Sequence, residues 1–464
     1  RHIMNEKYPE LIRESERIGK PMDLFWSWFS LNIGIMGLVY GGTIVSFGLS
    51  FIQALVAAFF GAASFLLIGY LSLPGKKGGA VTFILSRASF GKKGNIIPAI
   101  LCWICLVGWL AVNVATGTFS LNTLIGAFGV TITDITTMVS LVILVVFILG
   151  AAVVKQDILV KAQTFFSYIF GALTVVILAV LIPKTDWSVL FAMENGSWLG
   201  GVLPAISIVI AGSALSWAMV ASDYSVYQNP KTTSDRQIFW YTVLGSAIPL
   251  FILMVLGILM TSNAPEAMAS DDPIAGLARQ MPSWMVIPYF FTALGSIIPP
   301  AVISLRSARL SLDAMNIQVS DRISVVIHGL IMIILPVYVI FINGDFLGAF
   351  YMFLGYVGIC LAAWASIFMA DYMVLRKKQG YFPDDISGDQ TYNPVNWITI
   401  GIWSLSVLIG FLFTNTPWFN GPFAKGIFQD NSLGVLLAFA VGFILYFVYA
   451  KKQVKNNENV REVK

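Results

Sequence analysis

Residues 206–223 read ISIVIAGSALSWAMVASD. The stretch starts as an apolar membrane-crossing helix, then interrupts itself with Gly212, Ser213 and Ser216. Trp217 follows, and Ser222-Asp223-Tyr224 carry the chain out. Glycine and two serines weaken the helix and release backbone groups that lipid cannot bond, so the break has to face protein or a water-filled cavity. Paired interrupted helices around a site near the membrane midplane have that property. Small residues that let two helices pack closely are the other reading.

Composition settles the class. Of 464 residues, 57% are hydrophobic and 11% charged, against about 25% charged in a soluble domain, so the chain reads as an all-α polytopic membrane protein. A window of about 19 residues marks twelve apolar spans, near 24–48, 52–73, 96–127, 131–154, 158–183, 200–221, 237–261, 284–305, 323–343, 346–375, 397–415 and 433–450. All 28 Lys and Arg but three, Lys184, Arg279 and Lys425, then fall on the side of the amino terminus. That asymmetry predicts twelve spans in the plasma membrane with both termini cytoplasmic. Residues 1–23 form a polar cytoplasmic segment rather than a signal peptide, and 451–464 a solvated cytoplasmic tail.

Cys102, Cys105 and Cys360 lie in apolar runs, and the two histidines are His2 and His328, so neither a disulfide framework nor a metal cluster is expected. The basic residues sit in loops and mark no nucleic-acid surface. No Asp or Glu falls near the middle of a span. An intramembrane enzyme would need a buried His, Asp or Glu constellation, and a proton pump a carboxylate or histidine relay. Carbonyls and hydroxyls holding Na+ are the expected coupling device, with H+ as the alternative. A channel would need selectivity loops or charged rings, which the chain lacks.

The polar residues inside the spans are patterned. Cys102, Cys105, Trp109, Asn113, Thr116 and Ser120 recur at three- and four-residue spacing along the third span and share one helical face. Trp109 offers an aromatic plane one turn from the Asn113 amide, which donates and accepts hydrogen bonds. The first span, FWSWFSLNIGIMGLVYGGTIVSFGLSF, is punctured at Asn32, Gly34, Gly37, Gly41 and Gly42 and mirrors the sixth span five helices on. Two interrupted helices so placed predict an inverted five-plus-five repeat: 24–183, then 200–375, with 397–450 outside it. In the eighth span Pro299 and Pro300 release carbonyls near Thr292, Ser296 and Ser304. Ile33 and Gly34 on the first span with Thr292 and Ser296 on the eighth make the expected sodium site. Asn32 and Ser304 join the expected substrate contacts.

Three separated motifs resemble a known family. SRASFGKKG (Ser86–Gly94) with Pro98, WAMVASDY (Trp217–Tyr224) and DYMVLRKKQGYF (Asp371–Phe382) are similar to signatures of the purine–cytosine permease group of nucleobase–cation symporter family 1. The resemblance runs in order along nearly the whole chain. It implies the amino-acid–polyamine–organocation transporter fold, with helices 11 and 12 peripheral. It further implies import by alternating access of a planar N-heterocycle, such as a nucleobase, allantoin, a hydantoin or a thiamine-precursor pyrimidine, coupled to Na+ or H+. An amino acid or amine is the rival cargo on this fold. By motif, the ring would stack between Trp109 and Trp217, with Asn113 and the break from Gly212 through Ser213 to Ser216 beside it. The family's helix 8 asparagines are missing from IIPPAVIS, and Leu106 replaces a glutamine found in cytosine-preferring members. A less polar site than a cytosine site follows. A monomer without cofactor is expected.

Overall fold

The computed structural model describes residues 7–429 and 432–462, with side chains to residue 456; His2 lies outside them. The described chain is all-α apart from a small antiparallel hairpin, β1 (Asn415–Thr416) with β2 (Phe419–Asn420), between the last two spans. Ten helices are long and apolar enough to cross a membrane: Phe51–Gly78, Ile96–Ala127, Asp134–Val153, Gln156–Lys184, Trp198–Tyr227, Asp235–Asn263, Ser283–Ala314, Asp321–Asn343, Phe346–Gln379 and Leu433–Asn456. The first span makes eleven if its two halves, Pro21–Asn32 and Ile35–Ser46, count together across a 62° bend.

One expectation changes here. The eleventh span, Trp397–Leu412, is a helix of 16 residues, about 24 Å at 1.5 Å per residue and short of a hydrocarbon core of about 30 Å. The count of twelve therefore does not carry over by length. The last helix runs on into the tail, Leu433–Glu462, since KKQVKNNENVRE contains neither Gly nor Pro to stop it.

The first and seventh spans touch backbone to backbone. A Cβ on Gly41 would stand 2.3 Å from the Met254 carbonyl oxygen, and one on Gly257 2.3 Å from that of Leu38. Gly37 and Gly42 meet Leu253 and Met268 in the same way. Close packing is thus the work of these three first-span glycines. Gly34 differs: its backbone is extended, and a Cβ there meets nothing within 4 Å.

The three motif segments gather on one face and pin it. Asp223 accepts from the Thr82 N–H and hydroxyl at 2.9 and 2.8 Å. Asp371 pairs with Arg376 at 3.1 Å and accepts from Tyr446 at 2.8 Å, while Arg376 also donates to the Ala88 carbonyl. Ser86 accepts from Trp364 Nε1, and Arg87 holds Glu10 of the amino-terminal segment. Gly91 takes φ +82° with its Cα against Asn393 and Pro394, a position only glycine fits without strain.

Between the seventh and eighth spans, Asp272 caps the short helix Pro273–Ala278 by accepting from the Ala275 N–H at 2.9 Å. Burial pushes this carboxyl up to about 6, against the opposing pull of that bond, the Ile274 N–H and Arg279. A carboxyl raised on folding binds more protons folded than unfolded, so it costs stability as pH rises from about 4, the unfolded value, through 6. Asp272→Asn keeps the cap without the charge. Its unfolding temperature is expected to exceed that of the parent protein at pH 7.5, by an amount worth about 1–2 kcal/mol, and to equal it at pH 4. A parent protein more stable than the variant at pH 7.5 would refute the burial argument.

Candidate functional site

The sixth span breaks where its sequence says. The helix Leu203–Gly212 stops, Ser213 takes φ −111° and ψ −90°, and Ala214–Trp217 resumes. Two carbonyls lose their helical donors there and find side chains instead. Ala211 accepts from Ser216 Oγ at 2.8 Å, and Gly212 accepts from Tyr40 Oη at 2.8 Å. Ser216 in turn accepts from Trp109 Nε1 at 3.1 Å, tying the third span to the break. Gly212 leaves room for the Tyr40 hydroxyl, which a Cβ would meet at 2.3 Å. The buried Ser213 hydroxyl adjoins that of Tyr40.

The first span breaks alongside. Asn32 folds its Nδ2 back onto the Trp28 carbonyl at 3.0 Å, and Gly34 starts the second half in extended backbone. Among the described residues, no N–H or hydroxyl reaches the carbonyls of Leu31, Asn32 and Ile33.

The two breaks enclose a cavity of about 240 Å³, a size for one small ring. It is lined by Asn32, Ile33, Gly34, Trp109, Asn113, Gly212, Ser213, Ser216, Trp217, Ser296 and Ser304 among others, so eleven of the twelve residues expected from the sequence meet in one place. Thr292 is the exception. Its hydroxyl donates to Pro288 and Tyr289 carbonyls of its own helix at 3.0 and 2.9 Å, one turn off the cavity. Ser296 also back-bonds, to Ala293 at 2.8 Å, but its carbonyl has no helical donor because Pro300 carries no N–H. The eighth span nevertheless stays one helix, Ser283–Ala314.

The indoles of Trp109 and Trp217 line the cavity without touching each other. Trp109 is braced edge-on by Phe350 and Phe353 (centroids 5.9 and 6.0 Å), and Trp217 by the fully buried Trp28 (6.1 Å, 88°). Of the third-span stripe, Cys105, Trp109 and Asn113 reach the cavity. Cys102 instead meets Ser311, and Thr116 and Ser120 bond back to their own helix. Tyr40 and Gln163 are lining residues that the sequence reading missed. Gln163, Ser167 and Thr174 repeat at helical spacing on an otherwise apolar span, which is the signal that marks the former. Nothing local marks Tyr40, whose partner is 172 residues away.

Over residues 11–442 the chain matches the family described as "Permease for cytosine/purines, uracil, thiamine, allantoin". The chain belongs to that family. YxlA of Bacillus subtilis is 28% identical over 470 residues, 98% of this chain and 97% of its own length. The purine-cytosine permease FCY2 of Saccharomyces cerevisiae is 31% identical over 263 residues, 53% of this chain and 45% of its own. Mhp1, a nucleobase-cation-symport-1 family transporter solved in a closed conformation with bromovinylhydantoin bound, has the same fold: TM-score 0.71 at 16% identity, covering 97% of this chain and 95% of that one. This permease is therefore a multi-pass membrane transporter and not an enzyme.

Two glycines separate the break from ordinary packing. Gly212→Ala is expected to lower the unfolding temperature and cut transport more than tenfold, because Tyr40 has to leave the Gly212 carbonyl. Gly34→Ala is expected to fold as the parent does. Thermal unfolding and uptake of both variants check this, and the opposite ranking would contradict it.

Proposed function

We propose that this permease imports a nucleobase or related planar N-heterocycle by cation symport, stacking the ring between Trp109 and Trp217. The observation that carries the reading is one small cavity holding two braced indoles beside the Asn113 carboxamide and the Ser304 hydroxyl, which have no other partner among the described residues. Indole faces suit any planar heteroaromatic ring, and a few polar groups then set specificity. Among the described residues the Asn113 carboxamide has no hydrogen-bond partner, and Ser304 likewise keeps its hydroxyl free for a ligand. The bromovinylhydantoin bound by Mhp1, itself carrying a flat heterocycle, agrees with that cargo class.

Na+ is the coupling ion we favour. The unpaired carbonyls of Leu31, Asn32 and Ile33 and the donor-free carbonyl of Ser296 border the same cavity, and hard cations take oxygen ligands of this kind. Ile33, Gly34 and Ser296 remain in this proposed site, and Thr292 contributes only if its hydroxyl turns from its own helix. The cavity's lack of a carboxylate argues against an amine cargo. The residue pattern supports repeats at 24–183 and 200–375 that rock about the two breaks, in a plasma-membrane monomer with cytoplasmic termini.

Uptake into proteoliposomes of labelled cytosine, uracil, hypoxanthine, allantoin and hydroxymethylpyrimidine tests this, each with Na+ and with choline in its place. One ring is expected to accumulate at least tenfold faster with Na+, and Trp217→Ala is expected to abolish that uptake at unchanged expression. Uptake indifferent to Na+ but collapsed by a protonophore would replace Na+ with H+. Accumulation of amino acids or amines instead would overturn the cargo class.

A further inference from the structure

Gln163 is 6% exposed, lines the cavity, and makes no side-chain hydrogen bond to protein. Its carboxamide opens onto the cavity, where a ligand or water can bond it. It sits about 10 Å along the fifth helix from Gln156, whereas Trp109 sits about 20 Å along the third helix from Ile96, at roughly 1.5 Å per residue. Both helices start on the face that carries the amino-terminal segment, so Gln163 lies nearer that face than Trp109 does. Ser304 belongs to the same end of the cavity. Two residues on, Arg306 donates to the carbonyls of Ala152 and Val154, in the turn that opens the fifth helix. The Ser304 hydroxyl also lacks a protein partner. Ser167, one turn beyond Gln163, donates to the Ser30 carbonyl at 3.3 Å and so fixes this stretch of the fifth helix against the first.

Resting on the function proposed above, we infer that Gln163, seconded by Ser304, reads the hydrogen-bonding edge of the ring on the terminus-bearing side of Trp109. The reading fixes the substrate class. A carboxamide presents a donor and an acceptor side by side, and the edge that matches both at once is a cyclic amide, with N–H next to C=O. Indoles grip any flat ring; this edge contact discriminates among them. A site built to hydrogen-bond an N–H rejects the analogue that lacks it.

The test uses the full-length protein in detergent and equilibrium binding followed by indole fluorescence. The probes are uracil and hypoxanthine, each beside its N-methyl derivative at the lactam nitrogen, and hydroxymethylpyrimidine, which has no lactam. The parent protein is expected to bind a lactam ring at least tenfold tighter than its N-methyl derivative. Gln163→Met, close in shape and unable to pair, is expected to bring that ratio to within twofold by weakening the lactam alone. Gln163→Glu, which keeps acceptors and loses the amide donor, is expected to weaken it too. A ratio that survives in both variants, or both ligands weakened equally, would overturn the assignment and leave a packing role. Tighter binding of hydroxymethylpyrimidine than of either lactam by the parent protein would overturn the substrate class. Failure of the parent protein to bind any ring would instead refute the transport reading beneath it.

Discussion

The rest of the structure depends on two backbone carbonyls that a membrane cannot bond. Once Ser213 leaves helical geometry, Ala211 and Gly212 present C=O groups inside an apolar bundle, each costing about 1–3 kcal/mol if left unmet. Ser216 and Tyr40 meet them. In doing so they fix the Trp109 indole through Ser216 and bring the second half of the first span against the sixth through Tyr40. A single break thus positions an aromatic wall and joins three spans. The contacts that hold it open are side-chain bonds, which exchange partners more readily than a continuous helix unwinds. An element of that kind suits a transporter that has to change shape around its cargo.

Apart from Trp217 and Val220, the family motifs do a different job from the cavity residues. On the terminus-bearing face Arg87 pairs with Glu10, Asp223 accepts from the Thr82 N–H and hydroxyl, and Asp371 pairs with Arg376, and none of them lines the cavity. They link the loop after the second span, the exit of the sixth and the end of the tenth. The buried Asp371–Arg376 pair is fully engaged by Tyr446 and the Ala88 carbonyl, the condition under which burying charge is tolerated. The resemblance therefore rests mostly on residues that hold the scaffold, with Trp217 the motif residue that also walls the cavity.

That division explains what the sequence could tell. The third span ends where its hydropathy ends, at Ile96 and Ala127, because a long apolar run bounded by polar loops has one way to cross a bilayer. The break at Gly212–Ser216 was legible because glycine and serine in mid-span need a reason. Glycine content alone did not separate Gly34, which opens onto space, from Gly37, Gly41 and Gly42, which admit the seventh span and its loop. Only the neighbour's backbone decides that. Thr292 was placed in the cation site by its spacing from Ser296, yet a hydroxyl one turn off the cavity satisfies itself on its own helix. Tyr40 was hidden because its partner Gly212 is far away in sequence, whereas Gln163 was marked only by its helical spacing with Ser167 and Thr174. The eleventh helix was counted as a span on hydropathy, which does not register its short length.

The most direct measurement of the central claim is a structure of the permease with a transported ring bound, at a resolution that shows the ring plane. The account predicts the ring between Trp109 and Trp217, its plane parallel to one indole at about 3.5–4 Å, with the Tyr40 to Gly212 contact intact. A ring bound outside the space between the two breaks, or edge-on to both indoles with Tyr40 released, would contradict it.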